Sequence, residues 1–174
     1  LFAIYCSTTI GMSWDEFFHH INGSHRAEYL KTFGKFIDYN YIDNKYYPGL
    51  YDTFHFVILD FFLKFFPANI LEIKHLIHLT FGFLTLLGLF LISKNFFNKE
   101  IASIAVLFCL LNPFFFGHMS INPKDTILAF SHVWITLLAL KYLRKQSYNK
   151  DSTSNYFLSI GVICAVATGI QLFF

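Results

Sequence analysis

Charge is scarce in this chain. Only 14% of its 174 residues are Asp, Glu, Lys or Arg, against 55% that are hydrophobic. A soluble globular domain is a poor reading of such a composition, and an integral membrane protein is the better one. The formal net charge of +2, with no basic stripe interleaved with aromatics, gives no support to a nucleic-acid partner. Cysteine is also sparse: Cys6, Cys109 and Cys164 each lie within an apolar run, without a close pair or metal-ligand spacing, so packing in helices is their expected role. There is no His-Glu-x-x-His zinc-peptidase signature, no internal repeat and no low-complexity linker. The chain begins at Leu1 inside one apolar run and stops at Phe174 inside another, with no signal-peptide pattern, so a fragment of a larger protein is expected.

What is abundant is aromatic and aliphatic sequence, including 24 Phe residues. Apolar runs near the roughly 20 residues needed to cross a hydrocarbon core suggest spans at about 70–93, 101–118, 126–143 and 156–174, with a partial one at 1–12. In lipid such runs must be helical, because each backbone polar group needs an internal partner. The shorter run Thr53 to Phe66, with Asp52, His55, Asp60 and Lys64, is followed by Pro67, which predicts an amphipathic helix lying at the interface, a short further span being the alternative. The expected fold is therefore all-α: a polytopic transmembrane helix bundle with interfacial helices in a long first exoplasmic loop, residues 13–69. Lys94 and Lys99 mark one cytoplasmic connection, and Lys141, Arg144, Lys145 and Lys150 mark another. Alternation then places the first loop and Ser120 to Asp125 together on the exoplasmic face.

Two acidic sites stand at the ends of spans on that face. Asp15 and Glu16 follow Trp14 and open a predicted helix, where acids complement the dipole and Ser13 is the expected N-cap; helix capping and catalysis both remain open for them. Asp125 begins an apolar span, where an acid is costly unless it has a function or a partner such as Lys124. His19 and His20 each lie four residues after one of the acids, which makes them weak candidates for a metal site. His25, His55 and His118 are placed to approach the same face, whereas packing between helices is the expected role of His75, His78 and His132. Arg26 and Lys124 are candidate contacts for a phosphate.

The pattern of Asp15-Glu16 after the first span, the aromatic segment Tyr46-Tyr47-Pro48-Gly49-Leu50-Tyr51, and Asn112-Pro113-Phe114-Phe115-Phe116-Gly117-His118 leading into Asn122-Pro123-Lys124-Asp125 resembles polytopic glycosyltransferases. The resemblance is to the protein O-mannosyltransferase and lipid A aminoarabinose transferase type, with the GT-C architecture, and runs from Trp14 to about Leu143. It implies inverting transfer of a hexosyl or pentosyl group from a polyprenyl-phosphate donor to a lipid, glycan or protein acceptor. The implied setting is the exoplasmic face of a bacterial inner (plasma) membrane. It further implies Asp15 as the catalytic carboxylate, Asp125 in support, and Glu16, Lys124, Arg26 and Tyr47 as substrate contacts. A divalent metal ion stays open as a cofactor, because the matching stretch Tyr46-Tyr47-Pro48 lacks the Glu that some relatives use. A transporter segment, with Asp125 and His132 in an ion path, and a non-catalytic assembly subunit are the rival readings.

Overall fold

The computed structural model describes residues 1–35, 48–65, 69–122, 124–148 and 154–170. They form eight helices, α1 (Phe2–Thr9), α2 (Trp14–Lys31), α3 (Leu50–Phe65), α4 (Ile70–Phe96), α5 (Lys99–Leu111), α6 (Pro113–Ile121), α7 (Asp125–Tyr148) and α8 (Ser154–Ile170), with no strand among the described residues. The all-α membrane bundle expected from composition is what forms.

α4 is the central post. Asn69 caps it by accepting from the Leu71 N–H at 3.1 Å, and its 27 residues extend about 40 Å at 1.5 Å per residue, enough to cross a bilayer core. α1, α5, α6 and α7 all pack on it, while α2 lies on α3 and α8 bridges α7 and α3. Two of these packings need glycine: a Cβ at Gly82 would stand 2.9 Å from Met119 Cβ of α6, and one at Gly23 would collide with the Asp52 carbonyl oxygen, so α2 and α3 approach backbone to backbone there. Trp134 ties α7 to α4 by donating its indole N–H to the Leu84 carbonyl at 3.1 Å.

α4 and α7 are each long and apolar enough to span a membrane. The stretch expected as one straight span at 101–118 is instead two helices, α5 and α6, meeting at 73°. The break has a local cause. Asn112 Oδ1 accepts from the N–H groups of Phe114 and Phe115, and Pro113, which has no N–H to contribute, occupies the first helical position. α8 has 17 described residues, and α1 ends at Thr9, where Ile10 turns extended. α3 begins at Leu50, slightly earlier than the interfacial helix expected from Thr53. It turns Tyr51, Asp52, His55 and Leu59 inward and leaves Phe54, Val57, Phe61 and Phe65 exposed, as a lipid-facing helix should.

The bundle has two chemically different ends. At one, Arg144 of α7 donates to the carbonyl oxygen of Asn95, near the end of α4, at 2.9 Å, with Lys94 and Lys141 beside them in sequence. At the other, the start of α4 meets α1, α2 and the end of α6, through His75 to the Ser7 carbonyl at 2.7 Å and His78 to the Ser120 carbonyl at 3.1 Å. The acids at positions 15, 16 and 125 belong to this second end.

Candidate active site

The acidic pair at the start of α2 divides its two carboxylates between different surroundings. Adjacent helical residues point about 100° apart, so once one face of α2 is buried the neighbouring residue can face out. Asp15 is exposed, while Glu16 is only 2% exposed. Glu16 Oε2 accepts from the Ser13 N–H at 2.7 Å, and Oε1 lies 2.8 Å from His75 Nε2. Because Nδ1 of the same imidazole meets the Ser7 carbonyl, His75 faces acceptors at both ring nitrogens, which a doubly protonated ring beside a carboxylate satisfies. Burial by itself would raise the Glu16 carboxyl; the hydrogen bond to His75 and the Ser13 N–H outweigh it and hold the group below its ordinary value.

Asp15 instead opens onto a cleft of about 230 Å³ shared with Ser13, Trp14, His118, Ile121 and Asn122. Asn122 organises the α6 side of that cleft. Its Oδ1 accepts from the backbone N–H groups of Lys124 and Asp125, at 3.1 and 2.9 Å. Those are donors beyond doubt, so the orientation of the amide is fixed and Nδ2 must be the donor toward Asp125 Oδ2, at 2.9 Å, and His118 Nδ1, at 3.2 Å. His118 Nδ1 is therefore an acceptor, and the proton of the neutral ring sits on Nε2. Asp125 is exposed at the start of α7 and linked to the Asp15 cleft through this one amide.

Behind the cleft lies a buried polar layer. Asp52 of α3 meets His19 Nδ1 at 2.9 Å through Oδ1 and accepts from the Asn22 amide through Oδ2, and Asn22 Oδ1 accepts from Arg26 Nε at 2.9 Å. Lys74, 3% exposed, is within electrostatic reach of both Glu16 and Asp52. Tyr51, His55 and His78 pack ring against ring, with centroids 5.1 to 5.7 Å apart. Burial, aided by nearby His78 and Lys74, pushes the His55 imidazole down to about 2, and burial together with Lys74 lowers His20.

His55 thus folds as a neutral ring that the unfolded chain would protonate near its ordinary value of 6.5. A group with a depressed histidine pKa removes stability as pH falls below the unfolded value. His55→Phe, which keeps a ring against Tyr51, is expected to flatten the loss of thermal stability in detergent between pH 6.5 and 4.5, and an unchanged slope would show that His55 does not set it.

The structure brings Asp15 and, through Asn122, Asp125 to one cleft, and turns Glu16 inward to His75. Lys124 adjoins the cleft with its backbone N–H on Asn122 and is half-buried. Arg26 packs over Gly49 and bonds Asn22. Tyr47 lies outside the described residues. Of the two histidines considered for a metal, His19 pairs with Asp52, and His20 rests on Phe56 with ring centroids 5.4 Å apart. Among the described residues no three His, Cys, Asp or Glu side chains are grouped so as to hold a metal ion. Sequence reasoning gave no site role to Asp52, which it placed only on the interfacial helix, and passed over Asn22, Lys74 and the pairing role of His75. The available signal was spacing: Asp52 with His55, and His75 with His78, each three residues apart on one helix face.

A second cavity, about 250 Å³ and wholly apolar, lies between α3, α4, α7 and α8, lined by residues that include Leu50, Phe54, Phe81, Ile127, Phe130 and Ile170. Ile127 is two residues from Asp125.

The acidic cleft thus lies at one end of a membrane bundle whose α3, α4, α7 and α8 enclose an apolar cavity. Residues 54–172, more than half of the chain, match the family model of dolichyl-phosphate-mannose-protein mannosyltransferases. The chain belongs to this family. It is a membrane glycosyltransferase of the GT-C type, in agreement with the resemblance read from the motifs. The matched stretch takes in most of α3 and all of α4 to α8, with His118, Asn122 and Asp125, and begins after Asp15 and Glu16. No curated protein and no solved structure shows a significant match to the chain.

Proposed function

We propose that this mannosyltransferase-family protein transfers a sugar, with inversion, from a polyprenyl-phosphate donor to an acceptor hydroxyl at the exoplasmic face of a bacterial plasma membrane, with Asp15 as the general base. The observation that carries the reading is the division of the acid pair: Asp15 is open to a cleft with His118 and Asn122, while Glu16 is tied to His75. In the reaction the acceptor oxygen attacks the anomeric carbon, its proton passes to the Asp15 carboxylate, and the bond from the anomeric carbon to the phosphate oxygen breaks, releasing polyprenyl phosphate. The leaving group is already an anion of low basicity, so it needs no strong acid. Lys124 adjoins the cleft and supplies positive charge as the phosphate departs.

Asp125 acts through Asn122, orienting the amide that holds the cleft wall. The apolar cavity beside Ile127 fits the first isoprene units of the donor. The basic end of the bundle, with Lys94, Lys141 and Arg144, supports the orientation by the positive-inside rule. The test is transfer by membranes containing the full-length protein. Radiolabel is expected to move from a polyprenyl-phosphate sugar to an endogenous acceptor and not from the matching nucleotide sugar. Transfer from the nucleotide sugar alone, or from no donor in a broad panel, defeats the proposal.

A further inference from the structure

The cleft at Asp15 has a composition that the catalytic reading does not require. One wall carries Trp14, whose side chain is 92% exposed although it flanks a cleft, and the other carries His118 and Asn122. Its volume of about 230 Å³ is below the range of roughly 300 to 1,000 Å³ usual for drug-sized ligands, which suits one sugar ring better than an oligosaccharide or a lipid chain. We infer that this cleft is the subsite for the transferred sugar, with the Trp14 ring against the C–H face of the pyranose and His118 Nε2–H donating to one ring hydroxyl. His118 is then a specificity-determining residue. The inference rests on the glycosyl-transfer reading given above.

The chemistry of the two walls is complementary to a sugar. A pyranose presents weakly positive C–H groups on one face, and the indole face is negative. At its rim are hydroxyls, which need directional partners. The Asn122 amide, fixed by two backbone donors, forces Nδ1 of His118 to accept and so leaves Nε2 as a donor of fixed position. No hydrogen bond of that Nε2 is made among the described residues. With Asp15 on the α2 side, an anomeric carbon held in the same cleft is within reach of the acceptor that Asp15 deprotonates.

A Trp at a membrane interface also serves as an anchor, so the experiment has to separate binding from anchoring. It measures kcat/KM for the full-length protein with the preferred polyprenyl-phosphate sugar and with a set of donors each lacking one ring hydroxyl. Wild type is expected to discriminate against the donor lacking the His118-bonded hydroxyl by roughly tenfold, the value of one good hydrogen bond. His118→Phe abolishes that single discrimination by lowering kcat/KM on the parent donor while leaving the deoxy donor unaffected. His118→Gln, which keeps a donor near the position of Nε2, restores part of it. Trp14→Ala raises KM for every donor by about tenfold with equal protein in the membrane. A wild-type enzyme that transfers sugar but whose discrimination pattern survives His118→Phe overturns the inference and leaves the glycosyl-transfer reading standing. Absence of transfer by wild type from any donor removes both.

Discussion

Asp15→Asn is expected to lower sugar transfer by about 10² to 10⁴, the range typical for loss of a general base, with little change in the amount of folded protein in the membrane. The second half of that expectation follows from burial. The Asp15 side chain is exposed and has no hydrogen bond or ion pair among the described residues, so its replacement by an amide of the same shape is expected to leave packing intact. The measurement is transfer rate per folded molecule for wild type and variant, with detergent size-exclusion profiles as the control for folding. A variant within threefold of wild type would move the base elsewhere, and Asp125 would be the next carboxylate to test. Asp125→Asn keeps the acceptor for the Asn122 amide and so separates charge from geometry. Because Asp125 meets the cleft only through the Asn122 amide in the proposed mechanism, its loss is expected to be smaller than that at Asp15.

The paired acids were legible in the sequence as a pair, and so was the end of the bundle they share. Their divergence was not read, although helical geometry already implies it: residues 15 and 16 cannot both face a cleft and a helix interface in the same direction. The family, too, was legible, because Asn122-Pro123-Lys124-Asp125 and the preceding aromatic run are local motifs. The bend at Asn112-Pro113 was visible as a helix-start signal, a cap residue followed by proline at the first position, but the largely apolar stretch from Ile101 to His118, long enough for one span, concealed it. What could not be read was partnership across helices. Glu16 and His75 are far apart in sequence, as are His19 and Asp52, and only the packing of α2 on α3 and against α4 brings them together. The expectation placed on Tyr47 falls among residues the structure does not describe.

The Glu16–His75 pair carries the largest expected effect on stability. Each side chain is 1% exposed, so neither group can regain water when its partner is removed. Glu16→Leu leaves His75 Nε2 facing apolar atoms and takes the acceptor from the Ser13 N–H, and a cost of about 3 to 5 kcal/mol is expected, the usual result of breaking a buried pair from one side. His75→Leu leaves a buried carboxylate and should cost as much. The double variant removes both charges and is expected to recover most of the loss, because two apolar side chains of fair volume can fill the space. The pH dependence has a definite sign. The folded carboxyl titrates below its ordinary value of 4.5, so its contribution is complete above that pH and declines as pH falls through the depressed folded value. Thermal midpoints in detergent from pH 7 to 3 should therefore show a wild-type decline below pH 4.5 that Glu16→Leu reduces. If the two single losses simply add in the double variant, the 2.8 Å contact does not couple the residues, and α2 must be held on α4 by packing alone.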